Sequence, residues 1–224
     1  MLSSKKIEKV VGIAVFSALA YVVALVCNII PPVAGFLSLD VKDAIIAIAA
    51  FSYGPLSSVI ISLIAALIEF LTFSTTEWYG LIMNFVSSAA FSLTASLIYS
   101  RFRSINGALV GIYSAVVATT GMMLLMNVLV TPWYLVYIGV PEAAAHGQVA
   151  ELLPTVLLPF NFAKTLLNGA TLMMIYKPVT LSMSRIGIAS KKSKTTFGKH
   201  TLLIMIVGAV SLVAALAILL LLWL

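Results

Sequence analysis

Lys164 and Asn161 stand three residues apart in the run Pro159-Phe160-Asn161-Phe162-Ala163-Lys164, a spacing that puts both on one face of a helix opening near Pro159. The lysine heads an apolar stretch from Phe160 to Val179, about the 20 residues a bilayer crossing needs. An ammonium at membrane depth costs several kcal/mol unless something specific compensates it, so such a lysine marks a functional site by default. In the first helical turn it also opposes the helix dipole. The alternative is that Lys164 snorkels to the headgroups, which leaves Asn161 beside it with no evident purpose.

Two further amides lie toward the outer ends of apolar segments: Asn84 in Met83-Asn84-Phe85 and Asn127 in Met126-Asn127-Val128. An amide both donates and accepts, and in lipid it must pair with another helix, with backbone or with a ligand. Phe36, Trp78, Tyr79, Trp133, Tyr134, Tyr137, Phe160 and Phe162 fall at the same level. An aromatic belt accounts for most of them, and a flat aromatic ligand would find stacking partners among them. Glu69, near the outer end of its helix, is a candidate counter-ion for Lys164 or an interface residue.

Catalytic signatures are missing. Gly198-Lys199 lacks the upstream glycine and the hydroxyl residue of a phosphate loop, so ATP energy would have to come from a partner. His146 and His200 fall on opposite sides of the membrane, too far apart to share a metal or a nucleophile. Neither Gly-x-Ser-x-Gly nor His-Glu-x-x-His occurs. An enzyme built on Glu69 and Lys164 is the remaining catalytic option.

The elements that must carry these residues follow from composition. With 62% hydrophobic and 9% charged residues and a mean hydropathy of +1.16, the 224 residues form an all-α polytopic membrane protein rather than a soluble domain. Breaks in the pattern give seven segments, at 7–30, 42–54, 55–73, 79–100, 105–130, 155–180 and 201–224. The second is short, cut off from the third by Gly54-Pro55, and is expected to be tilted or partly unwound. Residues 131–153, with Pro132, Gly139, Pro141 and Gly147, read as a long outer loop able to act as a lid. Eleven of the thirteen cations, all but Lys42 and Lys164, fall where an N-terminus-inside topology puts cytoplasm. Seven spans then put the C-terminus outside. The net charge of +6 is topological, and no basic groove-reading surface points to nucleic acid. Lys5 and Lys6 before an apolar run suggest a signal peptide, but the run continues to about Ile30, too long for one. Cys27, the single cysteine, excludes an intrachain disulfide.

The runs Phe36-Leu37-Ser38-Leu39-Asp40-Val41-Lys42-Asp43, Tyr53-Gly54-Pro55, Met83-Asn84-Phe85, Thr131-Pro132-Trp133-Tyr134 and Pro159-Phe160-Asn161-x-x-Lys164, in this order, resemble the riboflavin-specific S components (RibU type) of energy-coupling factor (ECF) transporters. The likeness covers about residues 7–184. It implies a six-helix, multi-pass subunit of a prokaryotic cell membrane that binds the vitamin on the outer side. Such a subunit works with a transmembrane coupling protein and two cytoplasmic ATPases. Riboflavin is then the transported ligand and not a cofactor, with FMN left open as a second ligand. By resemblance Asn127, Asn161 and Lys164 are ligand contacts, joined by Asn84, Leu39, Asp40 and Tyr79; Asp40, Lys42 and Asp43 could instead stabilise the loop over the site by pairing with each other. Ala14-Val15-Phe16-Ser17-Ala18 is a small-xxx-small pattern that permits close helix approach. The resemblance makes Ala14 and Ala18 the docking surface for the coupling protein; internal packing is the alternative.

The expected organisation is a six-helix substrate-binding domain over 1–184, a basic cytoplasmic linker over 185–200 and an additional transmembrane helix over 201–224. That last helix departs from the family pattern. An S component for another vitamin, or a self-sufficient secondary transporter of a small aromatic metabolite using Glu69, is the competing function, although no inverted repeat is visible.

Overall fold

The computed structural model describes residues 4–102, 104–185 and 199–223, so the greater part of the linker expected at 185–200 lies outside the described residues. The helices are α1 (Ser4–Cys27), α2 (Lys42–Tyr53), α3 (Pro55–Thr72), α4 (Glu77–Arg101), α5 (Ile105–Tyr137), α6 (Glu142–Leu152), α7 (Leu158–Arg185) and α8 (Lys199–Trp223), with a π-helical turn at Leu153–Leu157 before α7. Five of them, over 6–27, 55–72, 77–101, 106–137 and 202–223, are long and apolar enough to cross a membrane among the described residues.

α2 lies at the centre and packs against α1, α3, α4 and α7. Its alanines make this possible: Ala44, Ala47 and Ala49 are fully buried and let four neighbours come close. Facing serines do the same. Ser88, Ser92 and Ser96, spaced by four along α4, and Ser57, Ser58 and Ser62 on α3 are all buried; Ser58, Ser92 and Ser96 return their hydroxyls to their own helix, Ser92 to the Ser88 carbonyl at 2.5 Å, while Ser57 donates to the Tyr53 carbonyl at the end of α2.

Of the two expectations for the second segment, tilt or partial unwinding, the unwinding is corrected. α2 is a regular helix of 12 residues, about 18 Å long, well short of the ~30 Å hydrocarbon core. The chain between α1 and α2 is not helical, and its second half is largely buried. Ala34 (φ 51°) and Gly35 (φ 81°) make a tight turn closed by the Val33–Leu37 bridge, and Val33, Leu37, Leu39 and Asp40 are buried. Irregular backbone survives at such depth only where protein surrounds it or a cavity adjoins it. At the other end of α2, Gly54 has φ 96°, a conformation that costs a glycine little, and Pro55 opens α3 where its missing N–H is harmless.

The outer loop expected at 131–153 is also corrected. α5 continues through Pro132 to Tyr137, and α6 occupies 142–152, leaving only 138–141 between them. A proline inside a membrane helix is tolerated when neighbours and local adjustment re-satisfy the freed carbonyl, so Pro132 did not end the helix. The stretch is therefore a helical hairpin in which Ala145 and Val149 of α6 are buried.

α8 packs along α7. A Cβ at Gly208 would come within 3.1 Å of the Met173 Cβ and 3.2 Å of the Ala170 carbonyl, so glycine permits this approach. The Tyr113 hydroxyl meets that of Ser211 at 3.1 Å and ties α8 to α5. α1 packs instead on α2 and α3, and Ala14 and Ala18 are exposed on its outward side. Internal packing, the alternative for that pair, is not what the fold does with them.

Candidate functional site

A cavity opens between α4, α5, α7 and the loop before α2. Phe36, Leu37 and Ser38 line it from the loop; Thr76, Tyr79, Gly80, Met83, Asn84 and Ser87 from α4 and the residue before it; Met123, Asn127, Val130, Thr131 and Tyr134 from α5; Phe160, Asn161 and Lys164 from α7. On each helix the spacings are three and four, one face turned inward. Tyr134 sits between two other rings, its centroid 5.7 Å from Phe36 and 5.7 Å from Tyr79, so one side of the cavity is an aromatic wall. Asn84, Asn127, Asn161 and Lys164 supply polar groups to the same lining.

Lys164 is 7% exposed and its ammonium does not snorkel. It pairs with the Asp40 carboxylate at 2.7 Å and donates to the Ser38 carbonyl at 3.1 Å. Glu69 is not its counter-ion, which corrects one of the two roles considered for that residue. Glu69 is 3% exposed; its Oε2 accepts from Lys42 Nζ at 2.7 Å and from Asn84 Nδ2 at 3.2 Å. Lys42 also lies 3.6 Å from Asp40. Asp43, at the start of α2, accepts from the Ser88 hydroxyl at 2.5 Å. Asp40, Lys42, Glu69 and Lys164 thus balance each other's charge, as buried charges must.

The amides have partners that limit what they can offer. Asn127 Nδ2 donates to the Met123 carbonyl at 2.7 Å while its Oδ1 accepts from Thr131 at 2.9 Å; Asn161 Nδ2 donates to the Leu157 carbonyl at 2.7 Å. These bonds are local, each between residues four apart, and do not tie distant helices to each other. With one N–H of each amide committed, the second N–H and the unused lone pairs remain for a ligand.

Of the seven side chains expected to contact a ligand, the cavity brings together Tyr79, Asn84, Asn127, Asn161 and Lys164. Leu39 and Asp40 do not line it. Leu39 is buried in the hydrophobic core, and Asp40 stands behind Lys164. The aromatic set divides: Phe36, Tyr79, Tyr134 and Phe160 line the cavity, whereas Trp78, Trp133 and Tyr137 are more than half exposed, as a belt requires. Sequence reasoning passed over Ser87 and Thr131, which follow from adding three or four to Asn84 and Asn127. It also passed over Asn168, four residues past Lys164 on the same face. Asn168 is fully buried; it donates to the Asp40 carbonyl at 2.9 Å and the Lys164 carbonyl at 3.1 Å, and accepts from the Ala44 amide at 3.1 Å. It fastens the loop and the start of α2 to α7.

Among the described residues no group of three or more His, Cys, Asp or Glu side chains could hold a metal ion. Aromatic rings together with amides and a single ammonium in one cavity suit binding of a flat, partly polar molecule.

Known proteins share this architecture. Residues 8–180 match the family model for the ECF transporter substrate-specific component. The chain is 27% identical over 186 residues to the riboflavin transporter RibU of Staphylococcus aureus (strain TCH60), covering 83% of this chain and 97% of that protein. It is 24% identical over 174 residues to the riboflavin transporter FmnP of Bacillus subtilis (strain 168), covering 76% of this chain and 91% of that one. A solved structure of the S component of a bacterial ECF transporter superposes with a TM-score of 0.66 at 26% identity, covering 80% of this chain and 99% of its own. The family match ends before α8, and the chain is a membrane protein belonging to the substrate-specific components of ECF transporters.

Proposed function

We propose that this chain is the high-affinity riboflavin-binding subunit of an ATP-driven vitamin uptake system. The observation that carries the reading is the cavity itself, where Phe36, Tyr79 and Tyr134 share the lining with Asn84, Asn127, Asn161 and Lys164. Isoalloxazine is a flat ring, apolar at one end and bearing an imide edge at the other, and it continues into a polyhydroxyl tail. Rings of the wall stack on its face, the amides pair with its imide or hydroxyls, and Lys164 donates to an oxygen. Relatives named as riboflavin transporters support the choice of vitamin. FMN shares the ring and its imide edge, carries a phosphate in place of the tail's terminal hydroxyl, and is a second ligand to titrate.

The chain carries no phosphate loop, so a coupling protein and two ATPases supply the energy. Exposure of Ala14 and Ala18 supports their role as the docking surface for the coupling protein. The eleven grouped cations support a cytoplasmic N-terminus, an external C-terminus and a cavity facing outward. A secondary transporter would need a carboxylate free to titrate; Glu69, tied to Lys42 and Asn84, is poorly suited to that.

The direct test is the absorption spectrum of the purified protein followed by titration with quenching of flavin fluorescence. A bound flavin absorbing in the visible, with riboflavin titrating stoichiometrically, is the expected result. A colourless preparation without flavin affinity overturns the reading.

A further inference from the structure

Lys42 and Glu69 are 2% and 3% exposed, and neither lines the cavity. They are nonetheless the middle of a chain of polar contacts whose two ends do. Asn84 Nδ2 donates to Glu69 Oε2 at 3.2 Å; the same oxygen takes Lys42 Nζ at 2.7 Å. Lys42 reaches Asp40 through its ammonium at 3.6 Å and through its backbone N–H at 3.2 Å, and Asp40 holds Lys164 at 2.7 Å. The path runs behind the cavity wall from α4 to α7, by way of α3, α2 and the loop.

We propose that Lys42 and Glu69 are positioning residues of the substrate site, setting which atoms Asn84 and Lys164 present to the ligand. The proposal rests on the reading that this cavity binds riboflavin.

A carboxylate paired with an ammonium has acceptors only, so a group facing it must donate. Glu69 therefore holds Asn84 with its NH2 turned toward α3 and leaves its carbonyl oxygen for the cavity. Without that partner the amide could turn over, and an acceptor would become a donor at the same spot. At the other end, Asp40 and the Ser38 carbonyl take two of the three N–H donors of Lys164, and one remains for a ligand. A lysine stem is flexible; the fixed position of Asp40, held in turn by Lys42, keeps the ammonium at the wall. The site so built offers an acceptor on α4 and a donor on α7, a polarity that selects ligands carrying the complementary groups. A buried ion pair adds little stability over apolar side chains of equal size, so packing by itself does not call for Lys42 and Glu69 here.

The test uses the full chain in detergent. Lys42→Met combined with Glu69→Leu removes both charges together and leaves Asp40 paired with Lys164. The expected result is a melting temperature near that of the parent and a riboflavin affinity lower by about tenfold or more. Asn84→Ala is then made in both backgrounds. It is expected to cost about tenfold in the parent and under about twofold in the pair variant, where Asn84 is no longer held. A pair variant that binds within about twofold of the parent, or that shows the full cost of Asn84→Ala, overturns the proposal. If the pair variant does not fold, Glu69→Gln takes its place in the same cycle, since an amide can accept as well as donate and also frees Asn84 to turn. Absence of riboflavin binding in the parent overturns the underlying reading, an outcome distinct from a parent that binds and variants that bind equally well.

Discussion

α2 and α8 are helices of one bundle with opposite relations to their surroundings. α8 is 25 residues long without a charged residue after Lys199, and it turns Leu202, Leu203, Ile206, Val210, Val213, Leu220 and Leu221 outward. α2 is half that length, begins with Lys42 and Asp43, and is buried from Lys42 through Ala50 except at Ile45. Hydropathy reports contact with lipid and not position in the fold: the most apolar helix is peripheral, and the helix at the centre carries two charges. The central helix can hold them because protein surrounds it. Every ion has a partner within reach, whereas in lipid each would stand alone.

The difference can be broken from the central side with the largest effect. Lys42→Ala leaves Glu69 and Asp40 with less positive charge in a buried setting, and breaking a buried pair from one side costs about 3–5 kcal/mol. Thermal unfolding of the detergent-solubilised protein is expected to show a large loss, and an unchanged melting temperature would mean that water reaches this cluster.

Next come the residues that border the cavity. Lys164→Ala and Asn161→Ala are each expected to weaken riboflavin binding by roughly one to two decades, since losing one partner of a buried ligand group costs about 1–3 kcal/mol. Flavin fluorescence titration measures it, and unchanged affinity in both variants would take the ligand away from α7.

Peripheral changes should separate transport from binding. Ala14→Trp or Ala18→Trp places a large ring on the exposed face of α1 and is expected to block ATP-dependent uptake in cells that contain the partner subunits. Riboflavin affinity of the isolated chain should stay within about twofold of the parent. Loss of both activities together would assign the face to internal structure, and full uptake would remove the docking role.

The smallest effect is expected from α8. Removing residues 186–224 leaves the region that the family model matches, and riboflavin affinity should change by no more than about threefold. A larger drop would show that packing of α8 along α7 holds Asn161 and Lys164 in place, and the central and peripheral helices would then be less independent than their surroundings suggest.

Part of the candidate site was legible in the sequence. Lys164 and Asn161 stand out because charge and amide groups are costly in an apolar run, and the cost exists whatever the tertiary fold. Helical spacing then puts them on one face. The belt tryptophans follow from the same transfer energetics. The helix bounds of α5 were misread because Pro132, Gly139, Pro141 and Gly147 weigh as breakers in a local reading, whereas a neighbouring helix and the bilayer compensate a proline that water would not.

Composition and hydropathy determined by themselves that this chain is a helical membrane protein, because the free energy of moving a side chain between water and lipid is a property of that side chain. Which cation meets which carboxylate was decided only in three dimensions. Lys164 took Asp40 rather than Glu69, and Lys42 took Glu69, because an ion pair depends on distances of a few ångströms between groups 27 and 124 residues apart in sequence. Asn168 shows the same thing on a smaller scale. Its type was unremarkable until the loop and α2 arrived beside it, and then one side chain could satisfy three backbone groups that no local sequence rule brings together.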